Sequence, residues 1–283
     1  MPCFLTQDGC HLEYQLRGQG PLIALTPGGR EGGAAIASLA EALAAENFSV
    51  LSWDRRNGGA SDAFFGGAPR VEAEIWAEDL ADLIAHLGRG PAWIAGGSGG
   101  CRTSVIAVLR RSREARGLIA WSASGGEFAS QFLGFQYHVP YIMAAMRGGM
   151  EAVMQTPHWA DRIAARPTNR ERLLSLDPQE FIAVMKRWMS AFYYRPDSTL
   201  TGVSDEQLKA IDVPTLIFEG SDDVHPKSVS DMVAQLIPGA TYLPSPWSST
   251  EFLERFSGRV VAPVMGLYPK LVPEISAFLR RHG

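Results

Sequence analysis

The stretch WIAGGSGGC, Trp93 to Cys101, decides the fold. An apolar run leads into a serine that stands between two pairs of glycines. Gly96-Gly97-Ser98-Gly99-Gly100 matches G-x-S-x-G, with PAWIAGG before it reading as a short buried strand and CRTSVIAVLRRS after it as a helix. A serine on a sharp strand-to-helix turn needs small neighbours where the backbone comes close. The helix that follows aims its N-terminal amides at developing negative charge. In that context the pentapeptide predicts a nucleophile elbow with Ser98 as the nucleophile, rather than a glycine-rich turn that simply starts a helix.

Outward from the elbow, strands and helices alternate. HLEYQL has the period-two pattern of a half-buried strand, and PLIALTPGG is an apolar run entering a loop. AAIASLAEALAAEN is helical, FSVLSWD is again a strand, and EAEIWAEDLADLIAHLG keeps an apolar face until Gly88. GLIAWSA is the next strand. The order predicts an α/β fold, a mostly parallel sheet flanked by helices on both faces. The alternation breaks at about Glu127 and resumes with VPTLIFEGSDD. Residues 1–126 and 206–283 therefore form the core, and 127–205 a helical, aromatic-rich lid over the sheet's C-terminal edge, where ligands of such folds bind.

An oxyanion site needs a second amide from the loop after PLIALT, which reads Pro27-Gly28-Gly29-Arg30. Gly29 is the nominee, paired with Gly99. Arg30 beside it is a candidate to hold a ligand carboxylate.

The bulk numbers exclude several classes. A net charge of −4 with no Lys/Arg-rich run argues against nucleic acid and anionic membranes as partners. No apolar run is long enough for a membrane span, and the N-terminus alternates like a strand instead of opening as a signal peptide. Cys3, Cys10 and Cys101 have no metal-like spacing and fit thiols in a reducing, cytoplasmic compartment. GGSGG lacks the G-x-G-x-x-G spacing of a dinucleotide site, so no cofactor is expected. A homodimer is compatible with the composition.

The order of elements, the elbow and two further stretches resemble the α/β-hydrolase fold family. SWDRRNGGASD, Ser52 to Asp62, is similar to the family's D-R-x-G-x-G-x-S stretch, and GSDDVHP, Gly220 to Pro226, is similar to the loop that carries its acid. The resemblance spans the chain outside the lid. It implies fold more sharply than substrate, because the family covers many chemistries. It also implies a chain order of nucleophile, acid and histidine, with the histidine after the last strand.

Here the chain departs from the pattern. Asp223, and after it Asp222, is the candidate acid. The stretch after ATYLP has no histidine; Trp247, Ser248 and Glu251 stand there instead. A serine hydroxyl needs a positioned base. His225 on the acid loop is one candidate, with an exposed turn residue as its bland reading. His138 and His158 in the lid, and Glu251 if burial raised its pKa, are others.

The lid's aromatics mostly pack it onto the core, but some should line a pocket for an apolar ligand. Tyr137, His138, Trp159 and Trp247 are the nominees. The expected function is hydrolysis of a small apolar ester, lactone or activated ketone by Ser98 with a non-standard base. The alternatives are a lyase, isomerase or cyclase without an acyl-enzyme, or a non-catalytic binding protein.

Overall fold

The computed structural model describes residues 2–66, 69–257 and 264–283. An antiparallel pair, β1 (Cys3–Leu5) and β2 (His11–Arg17), edges a sheet whose remaining strands are parallel. These are β3 (Leu22–Thr26), β4 (Ser49–Trp53), β5 (Ala92–Gly97), β6 (Ala115–Trp121), β7 (Thr215–Phe218) and β8 (Thr241–Leu243). The spatial order is β1-β2-β4-β3-β5-β6-β7-β8, with β2 antiparallel to β4. β5 sits near the middle, between β3 and β6.

The central strands are apolar on both faces because both faces are covered. α1 (Ala37–Ala45) and α11 (Val272–His282) pack on one side, where Ile23, Leu25, Trp93, Ile119, Trp121 and Phe218 point. α2 (Glu72–Leu87), α3 (Gly99–Arg110) and α9 (Lys227–Leu236) pack on the other, against Leu22, Ala24, Ile94, Leu118 and Ile217. Consecutive strand residues therefore feed different cores, as the period of two requires.

Between β6 and β7 the chain inserts α4 (Gly126–Met154), α5 (Pro157–Ala165), α6 (Asn169–Leu174) and α7 (Pro178–Ser190), followed by the short α8 (Asp205–Lys209). α4 breaks at Gly148 and Gly149, whose backbone angles are not helical. The insertion has its own core of Val153, Trp159, Phe181, Met185 and Trp188, joined by Ala63 and Ile75 from the main body. Phe128, Phe132, Phe135, Tyr193 and Tyr194 instead face outward. Polar anchors fix the insertion to the sheet. The fully buried Asp62 carboxylate is ion-paired with Arg166 at 2.7 Å and Arg172 at 2.9 Å, and Asn169 bonds the backbone of Ala63 and Ser61. After β8 comes α10 (Ser249–Phe256), capped by Ser248 and Glu251. No helix among the described residues is long and apolar enough to cross a membrane.

Glycine is required where β5 turns into α3. A Cβ on Gly100 would stand 2.2 Å from the Thr26 carbonyl oxygen, and one on Gly97 2.0 Å from the Trp121 indole nitrogen. Gly88, at φ 61°, has open space around it. Gly100→Ala should therefore cost about 2–3 kcal/mol of stability, as overpacking does, and Gly88→Ala only about 1 kcal/mol, for its left-handed backbone. Urea unfolding of both variants measures the difference; equal losses would mean that the β5–α3 contact is not tight.

Candidate active site

Ser98 lies between β5 and α3 with φ 55° and ψ −122°, a conformation non-glycine residues avoid. Its amide donates to the carbonyls of Trp121 and Ser122 at 3.2 and 3.1 Å, so β6 holds the turn that the glycines permit. The turn lifts the hydroxyl off the sheet at the N-terminus of a twelve-residue helix, whose first amides have no partner within the helix.

The loop after β7 reaches that hydroxyl. His225 Nε2 lies 2.9 Å from Ser98 Oγ, and His225 Nδ1 lies 2.8 Å from Asp222 Oδ2. Asp222 also folds the loop that carries its partner: its Oδ1 accepts from the amides of Val224 and His225 at 2.9 and 3.0 Å. Burial would raise the Asp222 pKa, but the hydrogen bonds and charge from His225, with the two amides, bring it below the usual carboxylate value. The carboxylate favours the tautomer with the proton on Nδ1, leaving Nε2 free to accept. His225 is buried, with its ring edge-on to Phe252 at 5.9 Å.

The preference for Asp223 as the acid is corrected, because Asp223 is exposed and the turn directs Asp222 at the imidazole. Glu251 is committed elsewhere: it caps α10 and pairs with Lys270.

Opposite, the β3 loop lies against the elbow. A Cβ on Gly99 would stand 3.3 Å from the Gly29 amide nitrogen, and one on Gly28 3.3 Å from Ser98 Cβ. Gly29 itself has φ 50°. The loop is gripped by Arg55, whose Nη2 donates to the carbonyls of Gly28, Gly29 and Glu31 at 3.0, 2.8 and 3.2 Å. Its guanidinium rests on the Trp76 ring at 4.3 Å. Burial lowers the Arg55 pKa to about 10, against the pull of Glu72. Even so it stays a cation at neutral pH.

Ser98, Gly29 and Gly99 open into a pocket of about 520 Å³ floored by α2 and α3 and roofed by Leu133, Tyr137, Trp188 and Phe192 of the insertion and the turn that follows it. Among the described residues no cluster of His, Cys, Asp or Glu could hold a metal ion.

The family described as serine aminopeptidase, S33, matches residues 20–239 of the sequence. The chain belongs to the α/β-hydrolase family. It is 25% identical over 254 residues to the non-heme chloroperoxidase CPO-A1 of Kitasatospora aureofaciens, covering 85% of this chain and 88% of that protein. Among solved structures it is similar to an enol-lactonase from Burkholderia xenovorans LB400 (TM-score 0.63, 19% identity, 99% and 100% of the two chains). A thermophilic esterase from Thermogutta terrifontis aligns comparably (TM-score 0.63, 22% identity, 98% and 96%).

Within this α/β-hydrolase, Trp247 stands in the stretch where the family pattern expects its histidine. It does not face the pocket: it is buried and donates through its indole to Ser221 Oγ at 3.1 Å, propping the loop that carries Asp222 and His225. The other nominated ligand residues divide. Tyr137 lines the pocket. Trp159 is fully buried in the insertion's own core, beside Phe65 and His158. His138 is fully buried too, bonding through Nδ1 to the Gly134 carbonyl one helical turn back at 2.9 Å. Arg30 is spoken for as well, since both of its terminal nitrogens meet Glu72 at 2.8 Å. These placements correct the readings of Trp247, Trp159, His138 and Arg30 as ligand contacts. Sequence reading missed Arg55, Glu72 and Arg102. Arg102 left one usable signal, a cation four residues after Ser98 and hence on the same face of the helix.

His138 and His158 are displaced from ordinary behaviour by burial first and by the Arg30 charge second, each down to about pH 3. Their folded-state pKa lies below the unfolded value of 6.5. The unfolded chain therefore takes up protons that the folded one refuses, and stability falls as pH drops from about 6.5 toward 3. At pH 5 each histidine should cost about 2 kcal/mol relative to pH 7.5. His138→Gln and His158→Gln should each remove about that much of the acid loss in urea unfolding. An unchanged loss in both would show that other groups govern it.

Proposed function

We propose that this chain hydrolyses a small, largely apolar ester or lactone through an acyl-enzyme on Ser98, with His225 as the base and Asp222 as the acid. The carrying observation is the continuous chain Ser98 Oγ–His225 Nε2–Asp222, at 2.9 and 2.8 Å. The order nucleophile, acid, histidine is kept, but acid and base share one loop and stand three residues apart. The likeness to an enol-lactonase and an esterase is compatible with this class of substrate.

In the first half-reaction His225 Nε2 takes the Oγ proton as Oγ bonds to the carbonyl carbon. The oxygen that becomes negative is directed toward the amides of Gly29 and Gly99. Collapse of the tetrahedral species breaks the bond to the leaving oxygen, which receives the proton from His225. Water then enters, loses a proton to Nε2 and attacks the acyl carbon. The Ser98 ester bond breaks, and the proton returns to Oγ. Asp222 keeps the imidazole oriented and stabilises its cationic form. The inserted helices act as the lid that supplies the apolar walls.

A small fluorophosphonate should add once per chain in the intact mass, and Ser98→Ala should abolish the adduct. Asp222→Asn and His225→Gln should slow labelling and ester turnover by about 10³–10⁴-fold, whereas Asp223→Asn should change them less than about threefold. Equal losses at positions 222 and 223, or labelling that survives Ser98→Ala, would overturn the assignment.

A further inference from the structure

Two charged side chains line the pocket among the described residues, and they differ in one respect. Glu72 is neutralised by the two-pronged bridge to Arg30. Arg102 has no such answer. It is 7% exposed, its Nε has no hydrogen-bond partner, and no described carboxylate lies within ion-pairing distance of its guanidinium. Its guanidinium faces the Phe192 ring at 4.4 Å and packs against Gly202, where a Cβ would stand 2.9 Å from Nη2; the Glu72 and Glu74 charges act on it from beyond bridging distance. Burial accordingly lowers its pKa, to about 10, leaving it charged at neutral pH. A second polar atom of the pocket lining, Ser124 Oγ, is likewise buried without a partner.

A buried cation without a counter-ion is costly unless something completes it. Here the place for the missing partner is the pocket itself. Arg102 is four residues beyond Ser98, so it lies on the same face of α3, about one turn or ~5 Å further along. An anion held there would sit a few carbon atoms from a carbonyl at Ser98, with its apolar spacer against Leu133, Trp188 and Phe192. A carboxylate fits best, because its two oxygens match the planar donor fork of a guanidinium.

We infer that Arg102 is the specificity residue of the pocket, and that the substrate carries a carboxylate a short apolar spacer away from the ester or lactone carbonyl. This rests on the hydrolytic reading of Ser98 for its chemistry, but not for its binding. The Ser124 hydroxyl donates the second hydrogen bond to the same carboxylate.

The test uses two probes of equal acyl length, mono-(4-nitrophenyl) glutarate, an anion, and its methyl ester, which is neutral. In wild type the anionic probe should be cleaved with kcat/KM at least tenfold above the neutral one. In Ser98→Ala, where neither probe turns over, calorimetry should show the same preference in Kd. Arg102→Met should lower the anionic-to-neutral ratio about ten- to hundredfold in both measurements, and Arg102→Lys should keep part of it. A merely structural role would move both probes together and leave the ratio intact. A ratio near one in wild type would overturn the inference even if no Arg102 variant folds. Discrimination in the Ser98→Ala binding measurement without turnover in wild type would sink the hydrolytic reading and leave the carboxylate site standing. Turnover without discrimination would do the reverse.

Discussion

The site depends on one strained turn. Ser98 is held at positive φ, and the strain, on the order of 1–3 kcal/mol, persists because the surroundings leave the chain no other course. β5 and β6 pair from Trp93 up to Gly97 and Trp121, the carbonyls of Trp121 and Ser122 take the Ser98 amide, and α3 packs so close to β3 that residue 100 must be glycine. The turn does two jobs. It stands the hydroxyl clear of the sheet, and it sets the start of α3 so that Gly99 lies against the Gly29 loop.

The candidate site is then assembled from three separate connections that converge on the C-terminal edge of the sheet: the loop after β3, the elbow after β5 and the loop after β7. None of them is stiff by itself, and each has its own clamp. Arg55 binds three carbonyls of the first. Asp222 organises the third by bonding two amides of its own turn, while Trp247 supports it from below. Asp222 both organises the loop and bonds His225, so the carboxylate and the imidazole come from a single four-residue turn. In the stretch after β8 a tryptophan stands where the family pattern has its histidine.

Charge is distributed around the pocket with the same economy. Arg102 lines it, whereas Arg30 is answered by Glu72 and Arg55 by backbone carbonyls and the Trp76 face. Arg102 alone turns an unanswered cation toward the cavity, against an aromatic face that stabilises it only in part. The proposed carboxylate preference thus rests on which bridges are already made, rather than on how many arginines are present.

The sequence by itself determined the sheet and the place of the serine. Buried parallel strands must be short apolar runs, helices over them must show one apolar face, and a strand-to-helix turn this tight admits only glycines around Ser98. The meeting of His225 with Ser98 was not legible in the sequence, because the two are 127 residues apart. Whether such a pair meets depends on how far one loop bends, and choosing Asp222 over Asp223 depends on which of two adjacent side chains that bend turns inward. Tertiary structure also decided the fate of Arg30, Arg102, His138, Trp159 and Trp247. An arginine reads alike in sequence whether or not a carboxylate reaches it, and an aromatic residue reads alike whether it roofs a pocket or fills a core.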